Sequence, residues 1–407
     1  MPDAECRFLG LSWSAGRHLR RRGMDYAYLP WRGSVAVARD VMPPVAEFLG
    51  GGFTRDQLPA RLLRAWGAAC AFVEREIERF LPQVVVYGPA EHGICWLVDG
   101  AASARGMAKV GIQPCHLKGH FIAHPHGSHW QDILRSVTLP GPSEKTDWPA
   151  QVPSLAFRSQ SAKRRNPLRW SNWERALEYA ARAVSGGNSF HTIGTLSSWI
   201  ASRLAPRQWF PELETLSSTD NCGTGCVLVA LHRPSISWGS PTWIDLIRFA
   251  LEATPPDILL VIRPHPIESG QRVPEDVTRA LRSRGARISR AGRGPTVAAL
   301  FERTAAVLTL TSAVGLEALL AGVPVFTLGP AFYQRKGMAR AATMNDAASV
   351  RRLLSGGAPI QPDFAEVNRF VSWLSEEFII PSPEVDPSAG LALVDRIRAA
   401  AVEPAAT

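Results

Sequence analysis

The chain has 407 residues, 46% of them hydrophobic and 20% charged, with a formal net charge of +9. Such a composition can fill a sizeable core and two or three domains, which excludes a disordered or fibrous chain. Six cysteines spread over that length (Cys6, Cys70, Cys95, Cys115, Cys222 and Cys226) exclude a disulfide framework and point to reduced, intracellular thiols. The positive balance favours an anionic partner, whether a nucleotide, a nucleic acid or an acidic membrane surface. No basic region followed by an apolar run opens the chain, and no apolar stretch reaches the length of a membrane span. A cytoplasmic protein is expected, resting at most on a membrane surface.

Arg7 to Leu11 reads as a first strand, which turns through Ser12 to Gly16 into a basic helix over Arg17 to Arg22. Its arginines suit a solvated face or, as the sharper alternative, attraction to acidic lipid. A long helix with one apolar face runs from about Arg61 to Phe80. Val84 to Tyr87 is a short buried strand, a helix near Glu91 to Ala104 follows, and Met107 to Gln113 forms another strand. This alternation predicts a doubly wound unit in the first half. His116, His120, His124, His126 and His129 come next, but Gly119 and Pro125 break any helix that would align them. No closed ligand set accompanies them, so no metal site is expected; a substrate-facing loop using one or two of these histidines is.

From about Pro140 to Ser218 proline, serine and basic residues dominate, with Lys163-Arg164-Arg165, Trp170 and one helix over Trp173 to Val184. This stretch reads as an inter-domain connection with a helical insertion. Basic residues beside tryptophans suit nucleic acid or a membrane interface. No nucleic-acid fold signature accompanies them, and no nucleic-acid partner is expected.

The second half repeats the alternation. Cys226 to Leu231 is a buried strand, Thr242 to Ala253 a helix, and Ile258 to Ile262 a strand that runs into Arg263-Pro264-His265-Pro266. Ligands of open α/β sheets sit at the carboxyl ends of strands, so Arg263 could pair with phosphate or carboxylate and His265 could add a hydrogen bond or charge. A proline-rich turn with a surface histidine is the plain alternative. A helix from Pro274 to Arg284, a strand at Arg287 to Ser289 and a helix near Thr296 to Glu302 lead to the most informative stretch. There an apolar strand (Ala306 to Leu310) passes through Thr311-Ser312 into a helix that ends at Gly322, and a second strand follows at once. Backbone N–H groups, hydroxyl caps and the positive helix end converge at Thr311 and Ser312, a corner suited to phosphate. Ordinary capping is the alternative. Glu317 lies about a turn into that helix, within reach of a sugar's hydroxyls, or is simply solvated. A loop over Leu328 to Tyr333 and helices near Ala347–Leu354, Ala365–Leu374 and Leu391–Ala400 complete the chain.

Arg263-Pro264-His265-Pro266, Thr311 to Leu319 and Gly329-Pro330-Ala331-Phe332-Tyr333 resemble, in order and spacing, the capsule polysaccharide synthesis family of bacterial β-Kdo glycosyltransferases, which use CMP-Kdo. The resemblance covers roughly residues 226–340 and extends to the first half only in layout. It implies an α/β, GT-B-like protein with two Rossmann-like domains facing a central cleft. Arg263, His265, Thr311, Ser312, Glu317 and Tyr333 would form the donor site, with Arg263 and His265 on phosphate or carboxylate, Ser312 on phosphate and Glu317 on ribose. The partners implied are a nucleotide sugar, CMP-Kdo above all, and a lipid-linked or glycan acceptor at the inner face of the cytoplasmic membrane; neither cofactor nor metal is implied. In the family an acidic motif stands in the first domain, and the equivalent stretch here, Gln113 to Gly119, has no carboxylate. A covalent sugar–carboxylate intermediate needs an Asp or Glu. Glu91 and Asp99 are the nearest acids and, with His116, the catalytic candidates; otherwise the sugar or mechanism differs, or the protein is a non-catalytic relative. The expected organisation is an acceptor domain over 1–139, a basic linker over 140–221, a nucleotide-sugar domain over 222–345 and C-terminal helices over 346–407.

Overall fold

The computed structural model describes residues 5–10, 13–28, 60–88, 93–115, 120–124, 134–135, 137–139, 210, 212–217, 225–231, 241–265, 273–290, 295–356, 361–381 and 389–402. The expected helix over Trp173–Val184, with residues 140–209 of the linker expected over 140–221, lies outside them.

The second half holds a six-stranded parallel sheet in the order β8-β7-β6-β9-β10-β11. Its strands are β6 (Cys226–Ala230), β7 (Leu259–Arg263), β8 (Arg287–Ile288), β9 (Thr304–Thr309), β10 (Val325–Thr327) and β11 (Arg340–Ala341). Apolar runs such as Cys-Val-Leu-Val-Ala suit strands covered on both faces, and every residue of β6 is buried. Side chains alternate between two cores. Cys226, Leu228 and Ala230 face one with α7 (Ala313–Leu320) and α9 (Phe364–Glu377). Val227 and Val229 face the other with α4 (Trp243–Ala253), α5 (Glu275–Ser283) and α8 (Ala347–Ser355). The chain winds outward from β6 to β8, then restarts at β9 on the opposite side. The strand order therefore reverses between β6 and β9, the point where doubly wound sheets open a crevice. The short α6 (Val297–Phe301) carries the chain into β9.

The first half is built differently. β1 (Arg7–Gly10) and β2 (Asp25–Tyr28) form a parallel pair joined through α1 (Trp13–Arg21). β3 (Val84–Tyr87) pairs in parallel with β4 (Ala108–Pro114) through α3 (Gly93–Ala104), and α2 (Ala60–Phe80) shares their core. β4 then pairs antiparallel with β5 (His120–His124), which corrects the reading of this segment as a loop. Its Phe-Ile-Ala centre finds partners on both sides, because β12 (Ile379–Pro381) returns from the far end of the chain and pairs antiparallel with β5. The final helix α10 (Ala389–Val402) packs beside Val110 and Ala123 through Ala392, Leu393 and Ile397. The C-terminal segment, expected as helices alone, thus supplies a strand and completes the first sheet. The returning segment stitches the four-stranded sheet to the six-stranded one, with the β1–β2 pair as a third, separate sheet among the described residues, in an α/β, GT-B-like architecture. One continuous core joins the two halves: Cys115, Ile122, Leu134 and Leu139 from the first half pack with Leu319, Met338, Phe370 and Phe378 from the second.

Candidate active site at the strand ends of the C-terminal sheet

β9 ends at Thr309, on the reversal point. Its hydroxyl donates to the Ala230 carbonyl across the gap to β6 (3.0 Å) and accepts from the Ser312 N–H (3.2 Å). One buried side chain thereby clasps both strand ends and bends the chain toward α7. Ser312 adopts an extended conformation and its Oγ accepts from the Val314 N–H at 3.3 Å, an N-cap that sets where α7 begins. Thr311 and Ser312 are half-buried and Ala313 is exposed, so the positive end of α7 opens outward at the switch point.

The wall behind this corner is made by the loop after β10. Leu328 and Gly329 donate backbone hydrogen bonds to Thr309 and Leu310, and a side chain at Gly329 would press on Thr311 Cγ2 at 3.0 Å. Tyr333 is fully buried; its hydroxyl donates to the Ser312 carbonyl, the cap of α7. Gly315 makes the space: a Cβ there would stand 2.2 Å from the Tyr333 oxygen. Burial first, and the charge of Glu317 second, push the phenol well above its ordinary range, so it remains a donor. Tyr333 therefore sits beneath the corner and shapes it.

Arg263 and Glu317 share that interior position. The Arg263 guanidinium is 5% exposed and donates to Ser289 Oγ at 3.0 Å. Burial lowers its pKa while the nearby Glu317 carboxylate opposes the shift. Glu317 is 1% exposed, which overturns its reading as a solvated helix residue: its neighbours on α7 are apolar on every side, and each residue from Val314 to Leu320 is buried. The two charges compensate one another below the corner. His265, by contrast, is half-buried two residues beyond the end of β7.

The structure thus brings together Arg263, Thr311, Ser312, Glu317 and Tyr333 around one helix start. It divides them into a rim, Thr311 and Ser312, and a buried support. Thr309 and Ser289 belong to this support and were missed by sequence reasoning. A threonine closing an apolar strand, and a serine just past β8, were the available signals.

Of the three catalytic candidates in the first half, Asp99 is the one among the described residues, and it does not join this group. Asp99 is buried on α3, accepting from Tyr87 Oη at 2.9 Å and from Lys109 Nζ at 3.1 Å, so it ties α3 to β3 and β4. Ser103 extends the network, accepting from Lys109 and donating to the Asp99 carbonyl at 2.7 Å. Glu91 and His116 lie outside the described residues. Gln113, which stands where a carboxylate was expected, is buried with its amide 3.4 Å from His124 Nε2. Among the described residues no cluster of three potential metal ligands occurs. Nor is any described helix long and apolar enough to cross a membrane.

A doubly wound sheet with a capped, outward-opening helix start at its switch point defines a protein of the GT-B-like α/β class. Residues 236–355, which contain α7, the Tyr333 loop and the Arg263 strand end, match the family model described as capsule polysaccharide biosynthesis protein. That matched segment is less than a third of the chain's length. No curated protein matches the chain. Among solved structures it is similar to the β-Kdo 2,7 transferase of Thermosulfurimonas dismutans KpsC, at 12% identity and a TM-score of 0.40, over 97% of this chain and 99% of that one. The β-Kdo 2,4 transferase of the same KpsC gives 10% and 0.37, over 91% and 99%. The glycosyltransferase SnogD from Streptomyces nogalater gives 15% and 0.30, over 93% and 89%.

Proposed function

We propose that the protein is a glycosyltransferase of bacterial capsule or surface-polysaccharide biosynthesis, moving a sugar from a nucleotide donor to a lipid-linked or glycan acceptor. What carries this reading is the corner at Thr311 and Ser312, at the sheet's switch point and inside the segment that matches the capsule family. CMP-Kdo is the donor we favour, from the motif resemblance around Arg263-Pro264-His265 and Thr311 to Leu319. In the reaction an acceptor hydroxyl oxygen bonds to the anomeric carbon as the bond from that carbon to the donor phosphate breaks. The hydroxyl proton leaves to a base or to water. The helix start of α7, with Ser312 and His265, would meet the charge growing on the departing phosphate. Arg263, Glu317 and Tyr333 would hold that corner from behind. A place at the inner face of the cytoplasmic membrane fits the proposed acceptor. The exposed Arg17, Arg20, Arg21 and Arg22 on and just beyond α1 offer a matching positive face.

A second reading, a nucleotide-sugar-binding or scaffolding protein without turnover, is favoured by one observation. The described acid nearest the expected catalytic region, Asp99, is committed to an internal network. Binding of CMP and release of CMP from CMP-Kdo by the purified protein separate the two, with His265→Ala and Ser312→Ala measured alongside. Turnover with a lipid acceptor, weakened in both variants, is the expected result. Binding without turnover selects the scaffold, and no binding of any cytidine nucleotide overturns the donor assignment.

A further inference from the structure

Arg335 stands two residues beyond Tyr333, on the loop that walls the corner, yet its guanidinium serves the other half of the molecule. Nη1 donates to the carbonyls of Leu134 (2.5 Å) and Arg135 (3.1 Å), and Nη2 donates to that of Val137 (2.6 Å). The guanidinium carbon lies 5.7 Å from the centre of the Phe370 ring, within cation–π range. Three backbone acceptors some two hundred positions away are thus gathered by one planar fork. A fixed planar fork of N–H groups meets these carbonyls together. The neighbours Leu134 and Leu139 are buried in the core shared with α7 and α9. Burial lowers the Arg335 pKa, with Glu366 opposing and Arg369 adding to the shift, so the cation is held in a partly dry site.

The same short loop therefore makes two attachments. Tyr333 fixes the cap of α7, and Arg335 fixes residues 134–137 of the first half. We infer that Arg335 is a positioning residue that sets the register between the two halves, holding the segment after β5 at a fixed spacing from the nucleotide corner. It touches no nucleotide and acts on transfer only by keeping the acceptor side in place. The catalytic part of this inference rests on the transferase reading; the structural part does not.

The test compares Arg335→Gln and Arg335→Lys with the wild type by amide hydrogen exchange and by donor kinetics. Exchange in peptides spanning 134–139 should accelerate by about tenfold in both variants, since glutamine has only two N–H donors and the compact lysine ammonium lacks the planar fork, while peptides of β9 and α7 keep their wild-type rates. CMP affinity should change by less than about threefold, whereas kcat for transfer falls by about tenfold or more, as expected when reacting groups are misplaced. Unchanged exchange over 134–139 in both variants would overturn the inference, as would full rescue by lysine or parallel losses in CMP affinity and kcat. If the wild type binds no nucleotide, the transferase reading falls, and the exchange result alone decides whether Arg335 joins the halves.

Discussion

In the four-stranded sheet of the first half, the buried acid Asp99 is held by Tyr87 and Lys109 from adjacent strands, and each group has its partner within the same small unit. In the six-stranded sheet, the buried charges Arg263 and Glu317 sit beneath a strand end, and the rim above them, at Thr311 and Ser312, reaches toward solvent. Both halves bury charge, at a cost that only good partners offset. In the first half the result is a closed brace between α3, β3 and β4. In the second it is a support under an open corner. Buried charge alone therefore does not mark a site; what sets the proposed donor corner apart is that its buried charge lies beneath a capped helix start at the switch point.

Arg263→Leu should produce the largest effect. It strands the Glu317 carboxylate in the core and removes the donor to Ser289, at a cost of roughly 3–5 kcal/mol in urea unfolding. A nearly neutral result would break the comparison, because Arg263 would then not be supporting anything. Two glycines offer a matched pair. At Gly315 a Cβ would meet the Tyr333 hydroxyl at 2.2 Å, and at Gly111 one would meet the His124 ring at 2.6 Å. Alanine at either position overpacks its site and should cost roughly 1–3 kcal/mol. Only Gly315→Ala should also weaken CMP binding, measured by calorimetry, because it displaces the tyrosine that fixes the α7 cap. Equal effects on binding would merge the two regions. A smaller loss, about 1.5 kcal/mol, is expected for Asp99→Asn, which keeps an acceptor for Tyr87 but removes the charge that Lys109 meets. Its CMP release per folded molecule should match the wild type; a collapse of turnover in a stably folded variant would restore Asp99 as a catalytic acid.

Five strands of the six-stranded sheet were legible, because strands covered on both faces read as apolar runs, as β6, β7 and β9 do; the exposed two-residue β11 was not. The helix start at Ser312 was legible too, since a serine before a Leu- and Ala-rich run is a capping signal. Burial of Glu317 was not inferred, although the run Ala-Val-Gly-Leu-Glu-Ala-Leu-Leu leaves no polar face for it to occupy. The first sheet was harder. Histidines at both ends of β5 drew attention from its apolar centre, and β12 is three residues long, too short to show any period. Arg335 gave no sequence signal, because its partners are backbone carbonyls in another part of the chain.

The mildest prediction concerns a half-buried carboxylate in a surface turn. Asp346 lies between β11 and α8, and its Oδ2 accepts from the Thr343 N–H and hydroxyl, both at 2.7 Å. These bonds hold its carboxyl below the usual aspartate range. A depressed folded-state pKa contributes stability above the unfolded value, near pH 4, and that contribution is lost as pH falls through the lower folded value. Asp346→Ala should therefore unfold slightly more easily than the wild type at pH 7, and the difference should shrink as the pH is taken from 5 toward 3. Asp99→Asn supplies the contrast: its loss reflects a fully buried brace and should persist in high salt, while the contribution of the half-buried Asp346 should be the smaller of the two at every pH. If the two variants showed equal losses at pH 7, burial would not be what separates the brace inside the first half from the surface turn that starts α8.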